Sequence, residues 1–102
     1  MHLAEPGNDS FPEAFLTPSK RSWATNELAS YGERAVPILR AILDGSAVNQ
    51  YGVAYRRLGM PVDCVLVTVR MLGPTANSLR ELVQAEVDAG HPYAEEALRA
   101  LG

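Results

Sequence analysis

The sequence has little of several features that mark common classes of protein. Its 102 residues include one cysteine, Cys64, which excludes an internal disulfide and any multi-cysteine zinc site. The longest apolar stretch, residues 65–69, is interrupted by Thr68 and is far shorter than the roughly 20 residues of a membrane span. The first residues show neither the basic nor the apolar region of a signal peptide. We therefore predict a cytoplasmic protein with no membrane segment.

Charge and length narrow the class further. The formal net charge is −3, so no overall positive field attracts nucleic acid, and we expect no nucleic-acid partner. Hydrophobic residues make up 47% of the chain and charged residues 21%, which is typical of a folded globular protein. A chain of this length builds one modest core without a deep substrate cavity. The expected organisation is a single domain over residues 1–102, with a loose lead-in at residues 1–9.

Glycine and proline divide the remainder into helical segments. Apolar residues spaced three and four apart predict an all-α fold, with helices over residues 11–16, 23–31, 32–43, 60–73, 75–89 and 92–102. The segment over 60–73 is apolar on a second side as well, through Cys64, Val67 and Met71, which predicts the central and most buried helix. We also expect Trp23 and Tyr93 to lie in the core. Short links predict antiparallel neighbours.

Residues 46–60 carry conflicting signals for and against a helix. Val48, Tyr51, Tyr55 and Leu58 are spaced three, four and three residues apart, which favours a helix. Gly52, in the middle, costs a helix about 1 kcal/mol relative to alanine. The segment also breaks the repetition described next. We therefore treat residues 46–60 as an irregular insertion between repeats.

The helix ends repeat one another. They read LASYG at 28–32, YRRLG at 55–59, VRMLG at 69–73 and LRALG at 98–102. Two of them continue alike, with GERAVPILRAIL from residue 32 and GPTANSLRELV from residue 73. A helix pair that cannot bury its own apolar stripe stacks on the next pair, which is how helical repeats are built.

These residues resemble the HEAT-like repeat family in its short bacterial form. The residues that match its recurring run closely are Gly32, Ala35, Val36, Pro37 and Leu39. A second run, at Gly73, Ala76 and Leu79, matches less well, because Asn77 and Ser78 stand in place of valine and proline. The resemblance implies stacked antiparallel helix pairs, in a right-handed solenoid fragment of about six helices. It also implies a protein-binding scaffold.

Members of that family have several roles. The most concrete role implied here is a non-enzymatic immunity protein that binds and neutralises a cognate bacterial toxin. The alternatives are an assembly or regulatory scaffold subunit and, less favoured, a small bilin-lyase-like enzyme. A protein partner such as a secreted toxin is expected, and the C-terminal repeat end also suits a homodimer.

Catalytic and cofactor motifs are missing from the sequence. It has no GxGxxG, phosphate loop, HExxH or GxSxG. His91 stands in a turn, where a surface histidine is more usual than a base paired with Glu95. Cys64 lies on the apolar central segment, where a thiolate is disfavoured. We predict that the protein is not an enzyme and binds no cofactor or metal.

Two groups of residues are candidates for protein binding. The first comprises Tyr51, Tyr55, Arg56 and Arg57, of types enriched at interfaces; alternatively the tyrosines pack inward and the arginines only solvate a helix end. Arg56, Arg57 and Arg70 could also form a small basic patch that contacts RNA, but the negative net charge argues against this. The second group is an acidic stripe, which would face a basic partner and comprises Glu81, Glu86, Asp88, Glu95 and Glu96.

Overall fold

The computed structural model describes residues 10–102, so the lead-in predicted for residues 1–9 lies outside the described residues. The α-helices are α1 (Ser10–Leu16), α2 (Pro18–Ser30), α3 (Val36–Leu43), α4 (Met60–Leu72), α5 (Arg80–Asp88) and α6 (Ala94–Ala100). Three 3₁₀ segments cover Gly32–Ala35, Tyr55–Leu58 and Gly73–Leu79. Over residues 10–102 there is no strand, only an isolated bridge between Val48 and Ala54. The all-α prediction is confirmed.

Helix α4 is the centre of the packing, as predicted. It contacts α1, α2, α3 and α6, and its side chains Val65, Leu66 and Val69 are fully buried. The second side of the helix is less covered than expected. Cys64 is buried, but Met71, in the last turn of α4, is 46% exposed.

The other helices pack around α4. Helices α2, α4 and α6 pack successively, α3 packs on α4, and α5 packs on α6. The radius of gyration is 12.4 Å, close to the value of about 13 Å for a folded domain of this length. The helices therefore share one hydrophobic core.

The two repeated stretches of sequence have the same local structure. Gly32 and Gly73 follow α2 and α4 with positive φ angles of 61° and 63°, which glycine adopts without steric cost. Each glycine begins a 3₁₀ segment that leads into an α-helix, α3 or α5. The equivalent alanines, Ala35 and Ala76, are both fully buried.

The second of these helices begins later than predicted. Residues 75–79, expected to be α-helical, are 3₁₀, and Ala76 has non-helical angles (φ −96°, ψ 19°). Polar contacts hold this segment: the Asn77 side chain donates to the Leu101 carbonyl at 3.1 Å, and Arg40 donates to the Ser78 hydroxyl at 3.2 Å. Such contacts compete with regular helix.

Three predictions about burial are wrong. Trp23 is 54% exposed, because it stacks on the outside of Phe11 (ring centroids 6.0 Å apart) and Phe11 takes the core position. Tyr93 is 46% exposed, since it precedes α6 and lies beside His91. Glu86, expected on the surface, is only 5% exposed, because an arginine from a distant segment neutralises it.

Candidate functional site

The insertion loop (residues 46–59) is not the helix that its apolar spacing favoured. Asn49 folds it into a turn, because its side-chain oxygen accepts hydrogen bonds from the backbone N–H groups of Tyr51 (2.8 Å) and Val53 (3.0 Å). Gly52 has a φ of 79° and donates its N–H to the Asn49 carbonyl at 2.9 Å. An asparagine side chain that replaces backbone acceptors favours turns over helix.

The 3₁₀ segment Tyr55–Leu58 anchors this loop to three helices. Arg56 donates to the Glu86 carboxylate of α5 at 2.9 Å and to the carbonyl of Leu43 at the end of α3. The buried Tyr55 donates its hydroxyl to the Glu13 carboxylate of α1 at 2.6 Å. Charge-assisted hydrogen bonds of this kind are among the stronger ones in proteins. The path of the loop is therefore fixed by side chains from residues far apart in sequence.

Several side chains of the insertion loop are apolar and exposed. Of the seven exposed large hydrophobic residues in the described part of the chain, four belong to the insertion loop. They form what we term the loop patch: Tyr51 (80% exposed), Val48 (47%), Leu58 (40%) and Val53 (36%). Arg57 is also exposed, beside them in sequence. Exposed aromatic and apolar side chains on an ordered loop are typical of an interaction surface.

The first predicted group thus divides into two roles. Tyr51 and Arg57 point to solvent, whereas Tyr55 and Arg56 hold the loop in place through Glu13 and Glu86. The alternative of inward-packing tyrosines therefore holds for one tyrosine only.

The acidic stripe is less continuous than the sequence indicated. Glu81, Asp88 and Glu95 are exposed, and Asp88 accepts a hydrogen bond from Gln84 at 3.0 Å. Glu86 is buried and forms an ion pair with Arg56, and Glu96 forms an ion pair with Arg70 at 3.0 Å. These two ion pairs also neutralise most of the basic patch that Arg56, Arg57 and Arg70 would have formed.

The residues considered for catalysis are placed elsewhere. His91 Nε2 lies 2.8 Å from a carboxylate oxygen of Asp63, so its acidic partner is Asp63 and not Glu95. Cys64 is buried as predicted, and burial raises the pKa of its thiol to about 11. A thiol with that pKa supplies very little thiolate at neutral pH.

Neither a metal-binding cluster nor a membrane-spanning helix is found within residues 10–102. Among residues 10–102, no group of three or more histidine, cysteine, aspartate or glutamate side chains is placed to hold a metal ion. Within the same range, every helix is too short or too polar to cross a bilayer.

Sequence reasoning missed the residues that shape the loop. Glu13 and Glu86 are recruited from 42 and 30 residues away, and nothing local in their sequence marks them. Asn49, three residues before Gly52, was the one available signal, because this pair of turn-forming residues opposes helix.

Comparison of the chain with family models, with curated proteins and with solved structures found no match in any of the three.

Proposed function

We propose that this protein is a non-enzymatic binding module that contacts a partner protein through the loop patch, with Tyr51 at its centre. The observation that carries the proposal is an 80%-exposed tyrosine on a loop fixed by the buried Glu86 and its partner Arg56. A tyrosine that only faced solvent would not require its loop to be held by a buried ion pair.

Preorganisation is the physical advantage of this arrangement. A loop already fixed in one conformation loses little entropy when it binds, so more of the contact energy appears as affinity. Tyrosine adds a large contact area with few rotatable bonds and a hydroxyl for hydrogen bonding. The exposed Arg57 is placed to meet a carboxylate at the rim of the same contact.

We also propose that the helices form a HEAT-like stack, with α2–α3 and α4–α5 as two units. The support is the shared order of positive-φ glycine, 3₁₀ segment and α-helix, and the successive packing of α2, α4 and α6. The insertion loop then lies between the second helix of one unit and the first helix of the next.

The most specific form of the functional proposal is an immunity protein against a bacterial toxin. Its support is the resemblance to small helical-repeat proteins, together with the exposed Glu81, Asp88 and Glu95. These carboxylates suit the basic active site of a nucleic-acid-degrading enzyme. A scaffold subunit is the alternative and would use the same loop patch.

The test compares two tyrosines. Wild type, Tyr51→Ala and Tyr93→Ala are used as baits in an extract of the source organism, and the captured protein is purified for calorimetry. Tyr93 is the control, since it is also exposed but lies outside the loop patch. We expect a stoichiometric complex that Tyr51→Ala weakens by about 2 kcal/mol or more, as for a hot-spot residue, and that Tyr93→Ala leaves unchanged. Equal affinity of both variants would contradict the proposed surface.

Co-expression distinguishes the two forms of the proposal. If the captured partner is toxic to cells, wild type rescues growth in trans and Tyr51→Ala does not. A non-toxic partner excludes the immunity role and leaves the scaffold role.

A further inference from the structure

A groove runs between α2 and α4, on a part of the molecule separate from the loop patch. Its volume is about 360 Å³, within the range of roughly 300–1,000 Å³ for small-ligand sites. Each wall consists of residues at positions i, i+3, i+4 and i+7 of its helix. The lining residues are Pro18, Arg21, Ser22 and Thr25 from α2, Met60, Asp63, Cys64 and Val67 from α4, and Tyr93.

The lining is largely apolar, and two of its polar side chains, Thr25 and Asp63, are engaged. The Thr25 hydroxyl donates to the Ser22 carbonyl at 2.9 Å. Asp63 is paired with His91 at 2.8 Å. A ligand without much polarity therefore displaces water from this groove without breaking those contacts.

Arg21 is the cationic side chain of the lining. Its Nε donates to the Phe15 carbonyl at 2.7 Å, which fixes the guanidinium at the groove. Among residues 10–102, no acceptor engages its terminal nitrogens. These nitrogens offer a carboxylate two parallel hydrogen bonds from a planar cation.

The charge of Arg21 is felt at the Cys64 thiol in the groove wall. Burial raises the pKa of the Cys64 thiol, and the positive charge of Arg21 opposes that rise more strongly than the negative charge of Asp63 adds to it. Cys64 lines the groove, so at this point of the wall the charge of Arg21 has a larger effect than that of Asp63.

We propose that the α2–α4 groove binds a small amphipathic monocarboxylate, with its carboxylate on Arg21 and its apolar body against Met60, Cys64 and Val67. Seven residues of helix span about 10 Å, which is the length available to such a molecule.

The experiment titrates ¹⁵N-labelled protein with octanoate and follows amide shifts by NMR. Octanol and octylamine are the matched ligands, because they keep the chain length but replace the anion by a neutral group or a cation. We expect saturable shifts confined to α2, α4 and residues near Tyr93, with octanol and octylamine binding roughly tenfold more weakly, as the loss of a charged hydrogen bond predicts.

Two variants test the role of Arg21. Arg21→Gln removes the cation, and Ser22→Glu keeps Arg21 bound to Phe15 but adds a competing carboxylate at the exposed groove wall. Both should weaken octanoate roughly tenfold, while Arg34→Gln, outside the groove, should not. The spectrum of each variant without ligand reports whether it is folded.

Three results would overturn the assignment: no saturable shift with octanoate, equal binding of octanol and octanoate, or full affinity in Ser22→Glu. None of these results bears on the loop patch, because Tyr51 takes no part in the groove.

Discussion

Two consecutive segments, the insertion loop and α4, have apolar residues at helical spacing but fold differently. In α4 those residues pack against four helices, and Val65 and Leu66 are fully buried. In the insertion loop the spaced residues Val48, Tyr51 and Leu58 face solvent. Apolar spacing produces a helix where a core is present to receive the apolar face, and elsewhere the local turn chemistry decides.

The two segments are also held by different forces. Burial of apolar area stabilises α4 through many small contacts. The loop depends on a few directional contacts, chiefly those of Arg56 and Tyr55. Damage to α4 should therefore affect the whole molecule, and damage to a loop contact should be smaller and more local.

The largest effect is expected from Val65→Asp. This change places an unpaired charge on a fully buried side of α4, at a cost of about 4 kcal/mol or more. Because the free energy of unfolding of a small domain is about 5–15 kcal/mol in total, we expect a large fall in melting temperature, measured by circular dichroism during thermal melting. Met71→Asp is the control on the exposed side of the same helix and should melt close to wild type. Equal melting of the two variants would show that α4 is not the centre of the fold.

A smaller effect is expected from Glu86→Ala. It removes the buried partner of Arg56, and because Arg56 is one-third exposed and can turn to water, we expect a loss of about 2 kcal/mol, below the usual range for fully buried pairs. Urea unfolding measures the loss, and hydrogen exchange should show faster exchange in the insertion loop than in α4.

Glu96→Ala is the matched control for that change. Both side chains of its ion pair with Arg70 are more than half exposed, so we expect the free energy of unfolding to fall by less than about 0.5 kcal/mol. If both variants lost the same stability, the loop would not depend on burial of its ion pair.

A pH dependence, confined to alkaline solution, is expected from Cys64. In the unfolded chain the thiol has its ordinary pKa of 9.0, and in the folded chain burial raises that pKa to about 11. Between these values the unfolded state loses a proton that the folded state keeps, so the free energy of unfolding falls as pH rises. Cys64→Ser does not titrate there, and its stability should fall less steeply over this range in urea titrations. Parallel curves for the two proteins would contradict the buried position of the thiol.

Much of the helical framework could be predicted from the sequence. The prolines at the first turns of α2, α3 and α4 and the positive-φ glycines after α2 and α4 are local signals, and local signals are visible in one sequence. The buried position of α4 followed from its apolar composition on more than one side.

The features that the sequence did not predict depend on contacts between residues far apart in the chain. Glu86 has the spacing of an exposed residue on α5, and only Arg56, 30 residues earlier, makes its burial favourable. Trp23 is as apolar as a core residue, but Phe11 occupies the core position beneath it. The division of the loop residues into exposed Tyr51 and anchoring Tyr55 likewise depends on Glu13, which lies in another helix.

The contact between Arg56 and Glu86 has a consequence for the order of folding. The contact forms only when the chain after the insertion loop has brought α5 back to Arg56, because the carboxylate that fixes Arg56 comes from α5. Closing a contact over that separation is entropically slow compared with forming a local turn. The loop that carries Tyr51 is therefore fully anchored only when α5 has packed, and a partner that recognises the anchored loop selects molecules in which this contact has formed.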